Sequence, residues 1–277
     1  MSTLGDVLFS LYHTWQDVPR RDIQDLAAFV FGKTRDELFL SLEEASDTIS
    51  EDKLKELVAK RSAHYPFAYL VGKVHFCNCS IAVNSHVLIP RHETELLLHK
   101  VMQKIQKRQV QVAYDLCTGS GCLGIALKKH YPSADVYLAD ISPYALEIAQ
   151  SNAKKNQVSI TALLGDLMEP FCCASKADVV LCNPPYIAEN EFADLEPSVR
   201  EFEPKQALVS GSSGLEIFAR LATELPPHIN PGGLLALEIG HLQAEEVSKI
   251  FSKHPWKILS IEKDYAQLDR FIFLEIE

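Results

Sequence analysis

The sequence lacks the long apolar runs, basic stretches and paired cysteines that mark several common classes of protein. No apolar run in the 277 residues approaches the length of a membrane span, so we expect no membrane association. The first 20 residues contain no basic segment leading into an apolar core, which argues against a secretory signal and favours the cytoplasm. The length suits one large domain, or a large domain with a small partner domain.

Positively charged residues are outnumbered by acidic ones, so the formal net charge is −10. Proteins that bind nucleic acid usually have a basic face that neutralises the phosphates. This sequence shows none, so no direct nucleic-acid binding is expected. None of the seven cysteines is spaced from another as C-x-x-C, which argues against a metal site. Reduced thiols packed as small apolar groups are the simpler interpretation.

What the sequence does contain divides into three parts. Residues 1–73 carry apolar positions at helical spacing and predict a small helical bundle. Residues 34–37, Thr-Arg-Asp-Glu, fit a capping box at the start of one of its helices. Residues 74–89 alternate with a period of two and predict a β-hairpin linker.

Residues 90–277 alternate apolar strands with helical patterns, which predicts a mostly parallel sheet covered on both faces. Only a short polar turn separates the last two strands, so they should pair antiparallel. Five β/α units followed by a hairpin fit the seven-strand, Rossmann-like sheet of class I methyltransferases better than a six-strand dinucleotide fold. The predicted strands cover residues 112–116, 135–140, 159–165, 177–182, 233–239, 256–263 and 270–276.

A glycine-rich turn, residues 117–121, follows the first strand of this sheet and opens a helix. Gly119 and Gly121 of this turn, with Gly124 beyond it, also match G-x-G-x-x-G, a weak signal for a nicotinamide cofactor. Asp140 ends the next strand, where a carboxylate accepts hydrogen bonds from a ribose of either NAD or S-adenosylmethionine. Asp115 discriminates better, because an acid before the glycines repels a pyrophosphate but attracts the ammonium and sulfonium of S-adenosylmethionine. A cap on the adjacent turn is the structural alternative for Asp115.

Asp166 and Leu167 follow the third strand, at the edge of the sheet where ligands of such folds bind. The carboxylate of Asp166 is suited to accept a hydrogen bond from the exocyclic amine of adenine, and Leu167 to cover the ring. Taken alone, an aspartate at this place is more typical of a turn, but together with the other residues at this edge the ligand role is favoured.

The fourth strand ends in Asn183-Pro184-Pro185-Tyr186. The side-chain oxygen of Asn183 and the carbonyl of Pro184 are two acceptors for the N–H groups of an amide or amine, and the prolines hold them rigidly. Tyr186 is suited to pack on the planar group. The chemistry predicts N-methylation by positioning, without a general base, and leaves a glutamine amide and a nucleic-acid base both open as acceptors.

Taken together, these residues resemble the release factor glutamine methyltransferases. The resemblance spans essentially the whole chain and rests on "YLVG" (69–72), "LIPRHETE" (88–95), "DLCTGSG" (115–121), "ADISPYALEIAQSNAKKN" (139–156), "GDLMEPF" (165–171), "NPPYI" (183–187), "REFEPKQAL" (200–208) and "LEIG" (237–240). It implies methyl transfer from S-adenosylmethionine, with S-adenosylhomocysteine as product, to the glutamine of the Gly-Gly-Gln loop in class 1 peptide chain release factors 1 and 2.

The resemblance also implies residue roles, including release factor recognition by residues 1–73. Asn183, Pro184, Pro185 and Tyr186 hold the glutamine, with Arg91 and Glu93 near the entrance of the site. The methyl donor contacts Cys117, Thr118, Gly119, Ser120, Gly121, Asp140, Leu167 and Asn183. Two departures stand out, because the family usually has glycine at the positions of Cys117 and Gln267.

Two alternative functions remain at this point. One is an N-methyltransferase acting on an exocyclic amine of a nucleic-acid base, and the other is an inactive, ribosome-associated binding protein. Residues 188–213 are expected to form a mobile lid because the segment is long and ends in Ser-Gly-Ser-Ser-Gly, residues 210–214.

Overall fold

Residues 2–277 are described by a computed structural model, in which the chain divides into two compact units. The smaller unit comprises the residues up to Gly72 together with Glu196–Phe202. The larger unit comprises Lys73–Leu195 and Glu203–Glu277. No helix within the described residues is both long enough and apolar enough to cross a membrane.

The smaller unit is the helical bundle that the apolar spacing predicts. Its helices pack around one apolar core, to which the first helix contributes Leu8 and the second contributes Leu26. The capping box at Thr34 is confirmed: Thr34 Oγ1 accepts from the backbone of Glu37, and Glu37 accepts from the backbone of Thr34. The first five helices of the chain are α1 (Leu4–Thr14), α2 (Arg20–Val30), α3 (Arg35–Leu40), α4 (Thr48–Ser62) and α5 (Phe67–Val71).

A two-stranded antiparallel hairpin opens the larger unit. Strand β1 spans Lys73–Phe76 and β2 spans Cys79–Ala82. The turn residues Cys77 and Asn78 both have positive φ, 43° and 62°, as a tight two-residue hairpin turn requires. The strands are shorter than the predicted 74–89 segment, because residues 83–89 run on as irregular chain.

The larger unit is built on the predicted seven-stranded sheet. The strands are β3 (Val112–Leu116), β4 (Asp135–Asp140), β5 (Thr161–Leu164), β6 (Ala177–Cys182), β7 (Ile229–Glu238), β8 (Trp256–Lys263) and β9 (Asp269–Ile276). Their spatial order is β5-β4-β3-β6-β7-β9-β8. Neighbours pair in parallel from β5 to β7, whereas β9 runs antiparallel to both β7 and β8, as predicted for the last two strands.

Helices cover this sheet, and its central strands are therefore buried on both faces. Strand β3 is buried at all five positions, and its apolar side chains pack into a core shared with β6 and β7. The remaining helices are α6 (His92–Ile105), α7 (Cys122–His130), α8 (Pro143–Lys155), α9 (Pro197–Arg200), α10 (Glu216–Glu224) and α11 (Ala244–Phe251). Helix α9 lies in the segment that groups with the smaller unit.

The segment 188–213 contains more regular structure than the expected lid. It carries 3₁₀ turns at Glu189–Asp194 and Lys205–Ala207 in addition to α9. Glu203, within the segment, is buried with 5% exposure. Its mobility stays a prediction, but the segment is not a structureless loop.

Both departures from the expected glycines have left-handed backbone. Cys117 has φ 54° and Gln267 has φ 62°. Glycine adopts this conformation freely, whereas a residue with a side chain incurs a cost of roughly 1–2 kcal/mol. Cys117 and Gln267 thus adopt the backbone conformation that glycine would favour, and their side chains make that conformation strained.

Candidate active site

The site lies at the carboxyl ends of the parallel strands β3, β4, β5 and β6. The loops that follow these strands line a cavity of about 410 Å³, and its wall also includes residues from 85–88, from 204–209 and from α10. Seven of the residues predicted for the site line it: Cys117, Gly119, Asp140, Asp166, Leu167, Asn183 and Pro185. The other eight are not part of its wall: Arg91, Glu93, Asp115, Thr118, Ser120, Gly121, Pro184 and Tyr186.

Hydrogen bonds to neighbouring strand ends hold the glycine-rich turn in place. The amide of Thr118 donates to the carbonyl of Ala139 at 3.0 Å, and the amide of Gly119 donates to Asp140 Oδ2 at 2.8 Å. Gly121 has φ 81°, a left-handed backbone conformation that favours glycine, and a Cβ there would lie only 3.0 Å from the Cβ of Ala149. Thr118 and Ser120 are buried and shape the turn; direct cofactor contact by them stays a prediction.

Asp115 lies buried beneath this turn with one open acceptor. Its Oδ2 accepts from Thr118 Oγ1 at 2.6 Å and from the amide of Gly124 at 2.8 Å. Its Oδ1 is buried without a hydrogen-bond partner. Burial raises the pKa of Asp115 to about 7. A buried carboxylate with a free oxygen is an incomplete arrangement, and a cationic ligand would complete it.

Asp140 sits in the wall of the cavity and is itself held by two backbone donors. Its Oδ2 accepts from Gly119 and its Oδ1 accepts from the amide of Ser142 at 2.9 Å. Burial raises its pKa. Each carboxylate oxygen keeps further acceptor capacity, so both can still accept from the two hydroxyls of a ribose.

Apolar surface next to Asp140 was not predicted from the sequence. Ile141 and Tyr144 line the cavity and are 51% and 57% exposed. The Tyr144 ring stacks on His86, with ring centroids 4.8 Å apart. Uncovered apolar and aromatic surface in a cavity wall suits a planar nucleobase.

Asp166 is paired within the protein, which sequence reasoning missed. Arg220 Nη1, on α10, donates to Asp166 Oδ1 at 2.9 Å and Oδ2 at 2.8 Å. A carboxylate has about four acceptor sites, so this pairing leaves room for an adenine amine. Leu167 is 6% exposed and has φ 46°, a conformation that turns the chain at this point of the wall.

Asn183 is tied to α6 and β7 through a buried polar chain. Its Nδ2 donates to Thr94 Oγ1 at 3.1 Å, and Thr94 donates in turn to Glu238 Oε2 at 2.7 Å. Tyr186 OH donates to Glu238 Oε1 at 3.4 Å. Thr94 and Glu238 belong to segments that carried the resemblance, but neither had a predicted role.

Arg91 and Glu93 differ in their surroundings. Arg91 Nη2 pairs with Glu203 Oε1, and Glu203 Oε2 accepts from the amide of Ile89 at 3.0 Å. This pair fixes the chain that enters α6, and Glu203 is another residue without a predicted role. Glu93 lies near enough to Glu238 that its charge contributes to the raised pKa of Glu238. Contact of Arg91 or Glu93 with substrate stays a prediction.

Metal ligands are not clustered in the described residues 2–277, where no group of three or more His, Cys, Asp or Glu side chains could hold an ion. All seven cysteines are free thiols.

Comparison with known proteins first defines the class. Residues 91–199 match the family model described as the methyltransferase small domain, and residues 13–72 match the PrmC N-terminal domain. A solved methyltransferase structure from Pyrococcus furiosus has a TM-score of 0.55 at 16% identity, over 78% of this chain and 98% of that one. That likeness shows the fold alone. Fold, site and family model together define a Rossmann-like, S-adenosylmethionine-dependent methyltransferase.

Curated relatives then identify the family. The release factor glutamine methyltransferase of Chlamydia trachomatis serovar L2 is 48% identical over 218 residues, covering 78% of this chain and 74% of that protein. That of Bacillus anthracis is 36% identical over 254 residues, covering 90% and 89%. The chain belongs to the release factor glutamine methyltransferase family. It is therefore an enzyme, a protein-glutamine N-methyltransferase.

The residues present fit S-adenosylmethionine. The orphaned Oδ1 of Asp115 suits its ammonium group, Asp140 suits its ribose, and the apolar wall beside Tyr144 suits its adenine.

Proposed function

We propose that this enzyme methylates the side-chain amide nitrogen of the glutamine in the Gly-Gly-Gln motif of class 1 peptide chain release factors, with factors 1 and 2 as substrates. The observation that carries the proposal is the setting of Asn183. It lines the cavity at the end of β6 and uses its Nδ2 on Thr94, which leaves its Oδ1 to accept from a substrate amide.

Cofactor binding is assigned to the strand ends. Asp140 accepts from the ribose hydroxyls, the open oxygen of Asp115 pairs with the ammonium group, and Asp166 with Leu167 receives the adenine. The turn 117–121 shapes the floor of this subsite. When bound, S-adenosylmethionine supplies an electrophilic methyl group and is released as S-adenosylhomocysteine.

The substrate amide is held by acceptors rather than deprotonated. The lone pair of an amide nitrogen is delocalised, so the nitrogen is a poor nucleophile until its orientation is fixed. Asn183 Oδ1 and the Pro184 carbonyl accept its two N–H groups, and the ring of Tyr186 packs on its plane. Orientation of this kind supplies much of the rate, and the proton leaves after transfer without a general base.

Recognition of the release factor is assigned to the helical unit. Large apolar side chains are exposed on it, among them Phe9 at 65%, Leu40 at 89% and Ile49 at 83%. Such side chains favour contact with another protein over contact with nucleic acid, as does the net charge of −10. Since its substrates are translation factors, we place its action in the cytoplasm.

Methyl transfer to a purified release factor tests this proposal. With radiolabelled S-adenosylmethionine, we expect label in the release factor and none in its variant with the Gly-Gly-Gln glutamine changed to alanine. Equal labelling of both would refute the assignment. Label in DNA or RNA, with steep salt dependence, would instead support the nucleic-acid alternative.

A further inference from the structure

A chain of three hydrogen-bonded polar side chains, two of them buried, runs from the cavity to strand β7. Asn183 Nδ2 donates to Thr94 Oγ1 at 3.1 Å, and Thr94 Oγ1 donates to Glu238 Oε2 at 2.7 Å. Thr94 and Glu238 are each 2% exposed. Because buried polar groups need partners, the members of such a chain fix one another.

The direction of these hydrogen bonds decides which end of the Asn183 amide faces the cavity. Thr94 has a single hydroxyl proton, and it is committed to the carboxylate of Glu238. The oxygen of Thr94 is then left only with lone pairs, so it attracts the NH₂ end of Asn183. The Oδ1 of Asn183 is thereby directed away from Thr94 and stays available as an acceptor.

The second carboxylate oxygen of Glu238 contacts Tyr186, the aromatic residue of the segment 183–186. Its Oε1 accepts from Tyr186 OH at 3.4 Å. The backbone carbonyl of Tyr186 is fixed separately, by Gln243 Nε2 at 2.8 Å. One carboxylate therefore contacts both Thr94, which bonds Asn183, and Tyr186, whose ring is proposed above to pack on the substrate amide.

We propose that Thr94 and Glu238 are positioning residues that lock the amide orientation of Asn183 and the ring of Tyr186 for glutamine binding. This inference rests on the proposed function and deepens it. Without the hydroxyl of Thr94, the Asn183 amide loses the partner that distinguishes its two ends. A flipped amide presents an NH₂ donor to the NH₂ of the substrate, which is repulsive.

The charge state of Glu238 is part of this arrangement. Burial raises its pKa to about 7, and the titratable groups facing it are Arg270 on β9, Glu93 on α6, Tyr186 after β6 and the Cys122 thiol on α7. Only the ionised carboxylate is obliged to accept from Thr94, whereas the protonated acid can donate to it. The Asn183 amide is therefore held in one orientation at pH values above the pKa of Glu238. This constraint is lost as the pH falls through that pKa.

Substitutions at Thr94 test the proposal. Thr94→Val keeps the shape and removes the hydroxyl, so we expect kcat to fall ~10- to 100-fold while the KM for S-adenosylmethionine changes little. Thr94→Ser keeps the hydroxyl and should restore kcat to within about threefold of the wild type, as expected when only packing is altered. Tyr114→Phe is the matched control, because it removes a different buried hydroxyl, which lies on β3 and is bonded to the Ser175 carbonyl, without touching the site.

Glu238→Gln supplies the pH readout. At saturating S-adenosylmethionine, the kcat of the wild type should decline as the pH falls below about 7, and that decline should be absent in Glu238→Gln. Saturation keeps the titration of Asp115, which acts on cofactor binding, out of the profile. If Glu238→Gln instead lowers the maximal kcat but leaves the decline of kcat at low pH unchanged, another group causes that decline. This result would refute the role of the Glu238 charge.

A measurement without turnover separates this proposal from the proposed function. In protein labelled with ¹⁵N-asparagine, the side-chain NH₂ signal of Asn183, assigned by its loss in Asn183→Ala, should shift in Thr94→Val and stay in place in Thr94→Ser. An unmoved signal, or equal loss of kcat in the Val and Ser variants, overturns the proposal. If the wild type labels no release factor while the NMR shift occurs, the proposed function fails and the positioning role stands.

Discussion

Asp115→Asn should stabilise the protein and weaken cofactor binding at the same time. Asparagine has the shape of aspartate, and its oxygen can accept the two hydrogen bonds that Oδ2 accepts from Thr118 and Gly124. Its NH₂ group would take the place of Oδ1, which has no partner. The substitution therefore removes a buried charge and keeps the hydrogen bonds that hold the turn.

The size of the stability gain follows from the pKa. Burial raises the pKa of Asp115 from 3.8 to about 7. At ~1.4 kcal/mol per pKa unit, keeping this group charged costs the folded protein up to about 4 kcal/mol. Since the folded state binds the proton more tightly than the unfolded chain, wild-type stability falls as the pH rises from about 4 to about 7. The gain in Asp115→Asn should be on the order of 1 kcal/mol larger at pH 8 than at pH 6.

Urea denaturation at the two pH values measures this gain, and calorimetric titration measures binding. S-adenosylhomocysteine carries the ammonium group, so its affinity for Asp115→Asn should drop ~10- to 100-fold, as for loss of a charge-assisted hydrogen bond. Methylthioadenosine lacks the ammonium and is the matched control, with affinity unchanged. A variant that is less stable at both pH values, or that binds both ligands as the wild type does, would refute the reasoning.

Three further substitutions test other parts of the site. Asn183→Ala should lower turnover on the order of 100-fold while leaving the thermal unfolding midpoint unchanged, and retained turnover would make Asn183 structural. Cys117→Gly should raise the free energy of unfolding by up to ~1 kcal/mol by relieving φ 54°, whereas Cys117→Ala should not; urea unfolding distinguishes them. Arg220→Ala leaves Asp166 without the arginine that orients it, so the affinity for S-adenosylhomocysteine in titration calorimetry should fall ~3- to 10-fold, and an unchanged affinity would contradict the adenine role of Asp166.

The fold was predictable because its signals are local. Continuous apolar strands alternating with helical patterns predicted the seven-stranded sheet, and the antiparallel pairing of β8 and β9 followed from the short turn between them. The capping box at Thr34 was also predicted, since both partners lie within four residues. Segment 188–213 was harder, because its helical turns are short and Glu203, one of its buried residues, pairs with Arg91 far away in sequence.

The site was predicted only where residues lie at strand ends. Cys117, Asp140, Asp166 and Asn183 were placed at one edge of the sheet by topology, and the cavity brings them together. The supporting residues Thr94, Glu203, Arg220 and Glu238 were missed, because each acts through a partner more than 50 residues away. Strand order places strand ends, but it does not specify which side chains of distant helices reach them.

The central claim concerns one nitrogen atom, so the most direct measurement locates the methyl group. A release factor is incubated with the enzyme and S-adenosylmethionine, digested, and the peptide containing Gly-Gly-Gln is fragmented by mass spectrometry. The account predicts one added methyl group on the glutamine side chain, formed by the wild type and nearly absent with Asn183→Ala. A methyl group on any other residue, or equal methylation by the two enzymes, would contradict it.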